Sequence, residues 1–207
     1  MRRMSNEVVI LSSESIPKPK RRMGSRESET YQALLDATES VLSEEGYGSL
    51  TSRRVCEVAG VKPQLLYYYF EDMDDLLVSA YKRRTERGFK RLSNLLNTEP
   101  PLKAVWDFVH SGIQPGLTFE YMALANYNDK IRSELRKFMK SARDLQIEYL
   151  KGASMSPDAV AKSITPAVAA FLIQSCAVML EREESTGLTA GHDEVREFVR
   201  QLTNARG

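Results

Sequence analysis

The residues with the clearest capacity for chemistry in this 207-residue chain lie close together, between positions 62 and 68. Helical spacing places five side chains on the outer face of one short predicted helix: Lys62, Gln64, Leu65, Tyr67 and Tyr68. Lysine and glutamine can hydrogen-bond to base edges, whereas tyrosine can donate to a phosphate and stack on a sugar. The pattern therefore predicts a surface that enters the major groove of double-stranded DNA. A purely structural role for the tyrosines fits Tyr69 and Phe70 well and Tyr67 poorly.

Two short helices joined by a tight turn are predicted to hold this surface. Thr51 can cap the first helix, and Ala59-Gly60-Val61 supplies the close approach, the turn and the apolar plug of a helix-turn-helix. Pro63 suits the first turn of the second helix, because its missing N–H has no helical partner there. We expect the interior to combine both helices with a preceding helix over about 28–45, through Val55, Val58, Leu66, Phe70, Leu34, Leu35 and Leu42.

Three spaced elements of this region agree with one known pattern: the run LLDATESVLSEEGYGSLT, the turn AGV, and LLYYYF followed by acidic residues and two leucines. Over residues 28–80 the chain resembles the tetracycline-repressor (TetR) family of bacterial regulators. The resemblance implies a recognition helix at 62–69, dimers on inverted-repeat operators, and repression as the default. Carried over by position, it implies DNA contacts by Lys62, Gln64, Leu65, Tyr67 and Tyr68, with Thr51 and Arg53 near phosphates.

The chain also departs from that pattern. Leu65 stands where many relatives have a threonine and could contact DNA only through a thymine methyl. Met73 stands where many relatives have a phosphate-binding lysine, and it lies within an acidic stretch, residues 71–75. Residues 1–26 carry seven basic and two acidic side chains. They form either an arm with Lys18–Arg22 in the minor groove or a solubilising tail, and both interpretations stay open.

Composition excludes several other classes. Cys56 and Cys176 have no partner spacing, so neither a disulfide framework nor a zinc site is expected. The chain has two histidines without a plausible nucleophile, no glycine-rich phosphate loop and no paired metal ligands, so neither an enzyme nor a cofactor is predicted. The most apolar run, 164–180, is interrupted by Pro166 and Gln174, which favours a buried helix over a membrane span. We expect a cytoplasmic protein.

The periodicity predicts an all-α fold of about nine helices and no sheet. Its expected parts are a flexible basic arm at 1–26, a helix-turn-helix domain at 27–72 and a helical effector-binding and dimerisation domain at 73–207. Asp72 can cap the fourth helix, with Asp75 completing a capping-box variant, and Asn128 can open a long helix. The last two helices are expected at about 157–184, bent near Pro166, and 192–204.

The second half carries no recognisable motif. The apolar helix 157–184 and the final helix are expected to pair with a second copy, giving a homodimer. Ten residues of the middle helices could line a pocket for a small, hydrophobic effector: Trp106, His110, Phe119, Met122, Tyr127, Phe138, Met139, Phe171, Gln174 and Met179. Each could equally pack a solid core. The alternative function is a dimeric helix-turn-helix regulator without an effector, constitutive or controlled by a protein partner.

Overall fold

The computed structural model describes residues 25, 28–110, 115–151 and 164–204. Within them the protein is all-helical, as predicted, with nine α-helices and no strand. The helices are α1 Glu29–Glu45, α2 Ser52–Ala59, α3 Pro63–Tyr69, α4 Met73–Thr98, α5 Pro101–His110, α6 Pro115–Leu124, α7 Asp129–Leu150, α8 Pro166–Glu184 and α9 His192–Asn204, with a short 3₁₀ turn at Tyr47–Ser49. The predicted basic arm, apart from Ser25, lies outside the described residues.

Polar side chains begin several helices at the predicted places. Thr51, Asp72 and Asn128 each accept a hydrogen bond from the backbone N–H three residues on, which satisfies one of the donors that a helix start leaves free. The predicted capping-box variant at α4 is half formed: the Asp72 carboxylate accepts from the N–H of Asp75, but the Asp75 carboxylate accepts from the N–H of Glu71 and not from that of Asp72. These caps fix where the DNA-binding segment ends and the long helix α4 starts.

The eighth helix differs from its prediction. It begins at Pro166, and Thr165 is an extended cap residue whose side chain accepts from the N–H of Val168. Proline at the first helical position needs no hydrogen-bond acceptor, so the residue expected to bend a longer helix instead starts one. The expected start at 156–158 lies outside the described residues.

The interior consists of three clusters. The helix-turn-helix core joins α1, α2 and α3 to the first turns of α4 and contains Leu34, Leu35, Val55, Cys56, Leu66, Phe70, Leu76 and Ala80. The middle core joins α1, α4, α6 and α7 and contains Leu42, Leu77, Val78, Tyr81, Leu117, Tyr121, Leu124 and Ile131. The distal core joins α4, α5, α7 and α8. Helix α4 contributes to all three clusters and therefore connects the helix-turn-helix to the rest of the described protein.

Two expected members of the helix-turn-helix core lie elsewhere. Leu42 belongs to the middle core, because it lies one turn beyond the contact of α1 with α2 and α3. Val58 is exposed, and Cys56 takes the buried place. Helical geometry explains the exchange, since Val55, Cys56 and Ala59 form one stripe of α2 and Val58 falls outside it.

Candidate nucleic-acid interface and effector cavity

The turn between α2 and α3 depends on a left-handed glycine. Gly60 has φ 66° and ψ 28°, a conformation that side chains with a Cβ adopt only with strain. Its N–H and that of Val61 donate to carbonyls at the end of α2, and Val61 packs half-buried against the helix-turn-helix core. The three residues of the turn thus take the roles that the sequence predicted for them.

Helix α3 is held by its inner aromatic side. Tyr69 and Phe70 are buried and contact Tyr31 of α1, whose ring stacks on Phe70 at 4.9 Å between centroids. The hydroxyl of Ser28 donates to the Tyr69 hydroxyl over 2.9 Å. Tyr69 and Phe70 therefore fill the core, as expected, and fix the rotation of α3 about its own axis.

That rotation turns the five predicted base-reading residues outward. Lys62, Gln64, Leu65, Tyr67 and Tyr68 are all exposed, with 38% of Leu65, 41% of Tyr67 and 48% of Tyr68 accessible. Exposure of large apolar and aromatic groups without a covering element is typical of a binding surface. The structure thus leaves all five residues exposed, Lys62 as the cap residue of α3 and the other four on the helix itself.

The residues predicted near phosphates lie at the start of α2. The Thr51 hydroxyl accepts from the N–H of Arg54 at 3.2 Å, so its role in the structure is that of a helix cap. Arg54 forms ion pairs with Glu45 at 2.8 Å and with Glu57 at 3.3 Å. Arg53 is exposed and has no carboxylate within 4.0 Å among the described residues, which leaves its charge available to a partner.

The acidic side chains after α3 form hydrogen bonds within the protein. Asp72 and Asp75 cap the start of α4, and the Asp74 carboxylate accepts from the Asn128 side-chain amide at 3.1 Å. Negative charge is favourable at a helix N-terminus because of the helix dipole. Met73 packs half-buried against the helix-turn-helix core, so it replaces the phosphate-binding lysine of many relatives with an apolar contact.

A cavity of about 290 Å³ lies among α4, α5, α6, α7 and α8, beside the middle and distal cores. Its lining combines apolar groups with basic ones: Tyr81, Arg84, Thr85, Arg87, Gly88, Arg91, Phe108, Thr118, Tyr121, Met122, Leu135, Phe138, Met139, Ala142, Arg143, Gln174 and Val178. The volume is close to the lower end of the range of about 300–1,000 Å³ that is common for small-molecule sites.

Four of the ten residues expected around a pocket line this cavity, namely Met122, Phe138, Met139 and Gln174. The other six are not among its lining residues. Trp106 and His110 stack on each other with centroids 5.0 Å apart, and Phe119 is half-buried on α6. Tyr127 is 90% exposed beside α7, and Phe171 and Met179 lie on the exposed side of α8.

Sequence reasoning missed the four arginines of the cavity. Arg84, Arg87 and Arg91 follow one another at helical spacing on α4, and Gly88 lies between them. This spacing was the available signal, but the same spacing also describes an ordinary solvated face. Only the tertiary structure, in which α6 and α7 lie opposite α4, distinguishes a cavity lining from a solvated face.

The four guanidinium groups have different partners. Arg87 binds both oxygens of Glu39 at 2.7 Å, and Arg91 donates to the backbone carbonyls of Asp107 and Phe108 at the end of α5. Arg84 donates to the Thr118 hydroxyl at 3.2 Å, and Arg143 donates to the Gln174 amide oxygen at 2.7 Å. For Arg84 and Arg143 the acceptors are thus neutral.

Ion pairs join α4, which lines the cavity, to α1 of the helix-turn-helix core. Glu39 of α1 accepts from Arg87 and also from Arg83, at 2.7 and 2.9 Å. Arg83 binds Asp36 and Gln32 as well. The α1–α4 contact is therefore both apolar and ionic, and one of its cations, Arg87, also lines the cavity.

Comparison with known proteins agrees with this arrangement. Residues 34–80 match the family described as bacterial regulatory proteins, tetR family. The fatty acid metabolism regulator protein of Bacillus subtilis (strain 168) is 29% identical over 62 residues, which span 30% of this chain and 32% of that relative's length.

Solved structures extend the similarity of fold beyond the matched segment. A TetR transcription regulator from Haloarcula marismortui superposes with a TM-score of 0.62 at 18% identity, over 86% of this chain and 97% of that one. The transcriptional regulator FadR from Bacillus subtilis, solved in complex with stearoyl-CoA, superposes with a TM-score of 0.58 at 16% identity, over 86% and 100%.

The family match covers α1 from Leu34 onward, the whole helix-turn-helix and the first turns of α4, which are the elements of the helix-turn-helix core. The structural similarity covers the helices behind them. Over residues 34–80 the chain therefore matches the tetR family of bacterial regulatory proteins, and the helices behind that segment share the fold of the two solved regulators.

Proposed function

We propose that this regulator binds a palindromic operator as a homodimer, represses transcription from it, and is released when a small effector occupies the cavity beside α4. The observation that carries the proposal is the outer face of α3, where five side chains suited to base and backbone contacts are exposed. Action on DNA implies a cytoplasmic location. Among the described residues, no helix combines the length and apolarity needed to cross a bilayer.

On DNA, Gln64 is suited to a bidentate contact with an adenine and Lys62 to a guanine. Tyr67 and Tyr68 can donate to phosphates, and Arg53 lies at the start of the neighbouring helix with its charge unused. Leu65 is left with an apolar contact, for which a thymine methyl is the matching group in the major groove. These contacts together favour an operator half-site with both A·T and G·C pairs.

The proposed dimer surface consists of the outer faces of α8 and α9. Large apolar side chains are exposed along both helices: Val168, Phe171, Leu172, Met179 and Phe198. Phe171 is 58% and Phe198 62% accessible. A contiguous apolar face of this kind is uncommon on a monomer, and a second copy related by a two-fold axis would cover it with an identical surface. The same axis would present two α3 helices to successive major grooves about 34–36 Å apart.

The effector is proposed to act through α4. This helix lines the cavity with five or more residues and contributes Leu76 and Ala80 to the helix-turn-helix core. An effector that binds better to the dimer with misplaced α3 helices would shift the population toward it, by its differential affinity for the two states. FadR from Bacillus subtilis, which has the same fold, was solved with stearoyl-CoA. Without any effector, the protein would remain a constitutive or partner-controlled regulator.

The double substitution Gln64→Ala, Tyr67→Ala tests the DNA-binding face. Each lost contact should weaken binding to a duplex from the promoter of the protein's own gene by about 1–3 kcal/mol, so the double variant should bind about 30-fold more weakly or worse. Fluorescence anisotropy with a labelled duplex measures the affinity. Both residues are exposed, so the thermal unfolding midpoint should stay unchanged.

Tyr127→Ala is the matched control, because it removes an exposed tyrosine from the α6–α7 connection instead of from α3. It should leave DNA affinity within twofold of the native protein. Equal affinity of the native protein and the double variant would contradict the proposal that α3 reads the operator.

The substitution Phe198→Asp tests the dimer surface. A carboxylate placed in the centre of a buried apolar interface carries a desolvation cost of several kcal/mol, so the two-copy assembly should dissociate. Sedimentation should report a mass near twice 23.4 kDa for the native protein and one chain for the variant. Tyr127→Asp places the same charge on another exposed aromatic and should stay dimeric. A strictly monomeric native protein that binds the palindrome tightly would overturn this part of the proposal.

A further inference from the structure

The charge of the cavity indicates which class of effector it suits. Four arginines line it, and none of the described residues that line it is an aspartate or glutamate. Arginine stays protonated under all physiological conditions. The excess of positive charge in a partly enclosed space therefore calls for a negative counter-charge, of which Glu39 supplies one to Arg87.

Two of the guanidiniums have no carboxylate within 4.0 Å among the described residues. Arg84 on α4 and Arg143 on α7 are half-buried, and their side-chain hydrogen bonds go to the neutral acceptors Thr118 and Gln174. The Nε of Arg143 is buried and has no hydrogen-bond partner within the part of the chain that the structure describes. An unsatisfied buried donor on a charged group is costly, and an anion in the cavity is the group that would relieve the cost.

Tyr121 adds a third donor. Its side chain is 1% exposed, and its hydroxyl has no hydrogen-bond partner among the described residues. Burial raises the pKa of Tyr121, so the hydroxyl keeps its proton. The hydroxyl can therefore donate a hydrogen bond as well as accept one. Burial also lowers the pKa of Arg84, which shows that the guanidinium charge is poorly solvated there.

The remainder of the lining is apolar. Leu135, Phe138, Met139 and Val178 form one side of the cavity, and Gly88 leaves room opposite Phe138, whose ring lies 3.6 Å from the position of an added Cβ. At about 30 Å³ for a water-sized group, a volume of about 290 Å³ holds a ligand of about ten non-hydrogen atoms. A short hydrocarbon or aromatic body fits both the size and the lining.

We propose that the cavity binds an amphipathic anion, with a carboxylate or phosphate head held by Arg84, Arg143 and the Tyr121 hydroxyl and an apolar body against α7 and α8. The proposal rests on the proposed effector function and names the chemical class of the effector. Charge-assisted hydrogen bonds from guanidinium groups are about twice as strong as neutral ones, so the head group would supply most of the discrimination between ligands.

The test compares ligands of the same shape and different charge. Octanoate and octanamide are nearly isosteric, and octylammonium carries the opposite charge. Calorimetric titration of the full chain at neutral pH should give octanoate an affinity about ten- to a hundredfold higher than octanamide, with no measurable binding of octylammonium. Octyl phosphate, titrated in parallel, distinguishes a phosphate site from a carboxylate site, and tighter binding of either anion supports the proposal.

Arg84→Met and Arg143→Met assign the head-group donors. Each should weaken octanoate binding about tenfold or more and change octanamide binding by less than threefold, because methionine keeps an apolar stem and removes only the charge. Retained octanamide binding also shows that the cavity is intact. Arg136→Met is the control, since Arg136 lies on α7 but is exposed and not part of the lining.

The outcomes separate the two proposals. Equal binding of octanoate and octanamide, or preference for octylammonium, overturns the anion assignment and leaves the effector function standing. Absence of binding by every one of these ligands overturns both. If either methionine variant fails to fold, the comparison of octanoate with octanamide on the native protein still decides the question.

Discussion

Two regions of this protein carry positive charge, and they present it in opposite ways. On the outer face of α3, Lys62 is the one cation among five exposed residues, with Arg53 on the neighbouring helix. The cavity has four guanidiniums in a space of about 290 Å³. The surface proposed to contact the most highly charged polymer in the cell is therefore less basic than the interior. The two sites are therefore suited to different ways of recognising an anion: an exposed face with few cations, and a cavity lined by several guanidiniums.

The two regions differ in their exposure to solvent, which explains why both arrangements of charge are stable. Exposed charges on α2 and α3 are screened within about 8–10 Å by salt and need no fixed partner. Enclosed guanidiniums are screened much less, so each must find an acceptor in the protein or in a ligand. Arg54, beside the DNA-reading face, is neutralised by Glu45 and Glu57, which lowers the positive charge of that face further.

The salt dependence of operator binding is the strongest test of this contrast. Each cation that neutralises a phosphate contributes about 0.9 to the slope of log affinity against log salt concentration. We expect Arg53→Gln, which removes a phosphate contact, to lower the slope by about one unit. Lys62→Gln removes a base contact, so it should lower the affinity with a smaller change in slope, and the double variant should bind about tenfold more weakly at about 50 mM salt than the native protein. Anisotropy titrations across a salt series measure the slope directly.

Arg54→Gln is the matched control, because its guanidinium is already paired inside the protein. Its slope should equal that of the native protein, whatever happens to its affinity. A slope that falls with the cavity variant Arg84→Met but not with Arg53→Gln would reverse the assignment of the two charged regions.

The two regions also differ in how far their sequence predicts them. Lys62, Gln64, Leu65, Tyr67 and Tyr68 belong to one short helix, and their outward direction follows from helical spacing and the neighbouring turn. Local periodicity therefore places all five together, and the caps at Thr51, Asp72 and Asn128 fix the helix boundaries. Val58 was misplaced because a helix of eight residues such as α2 allows two apolar stripes.

The cavity could not be predicted in the same way. Its residues come from five helices and are separated by up to about a hundred positions in the chain. Met122, Phe138 and Met139 were found because apolar residues of central helices tend to face inward, and Gln174 was expected as one of the few polar groups among them. Phe171 and Met179 were expected there for the same reason, but α8 turns them outward. Which apolar face meets which helix is decided by tertiary packing, and no local pattern reports it.

Helix α4 connects the two regions through one shared cation. Arg87 lines the cavity and binds Glu39 of α1, whose side chain is 13% exposed. Arg87 lies three residues from Arg84 on α4, so an anion held by Arg84 would also compete with Glu39 for the Arg87 guanidinium. Binding would then weaken an ion pair that holds α1, and with it the helix-turn-helix, against α4. The coupling between the two sites is therefore expected to depend on Glu39.

Glu39→Gln should reduce that coupling. In the native protein we expect saturating octanoate to weaken operator binding. In the variant, the ratio of the operator affinities without and with octanoate should move toward one by about three- to fivefold, which corresponds to about 1 kcal/mol. Octanoate itself should bind the variant somewhat more tightly, because Arg87 no longer has a competing carboxylate. Anisotropy with and without octanoate, and calorimetry without DNA, measure the two quantities.

Asp36→Asn is the control that isolates Arg87. Asp36 binds Arg83 at 2.6 Å and forms no ion pair with Arg87, so its loss weakens the α1–α4 contact without altering the cavity. By linkage, the factor by which octanoate weakens operator binding must equal the factor by which the operator weakens octanoate binding. If both factors are the same in Glu39→Gln, Asp36→Asn and the native protein, the ion pair carries no coupling, and the effector must act on α3 through the apolar contacts of α4 alone.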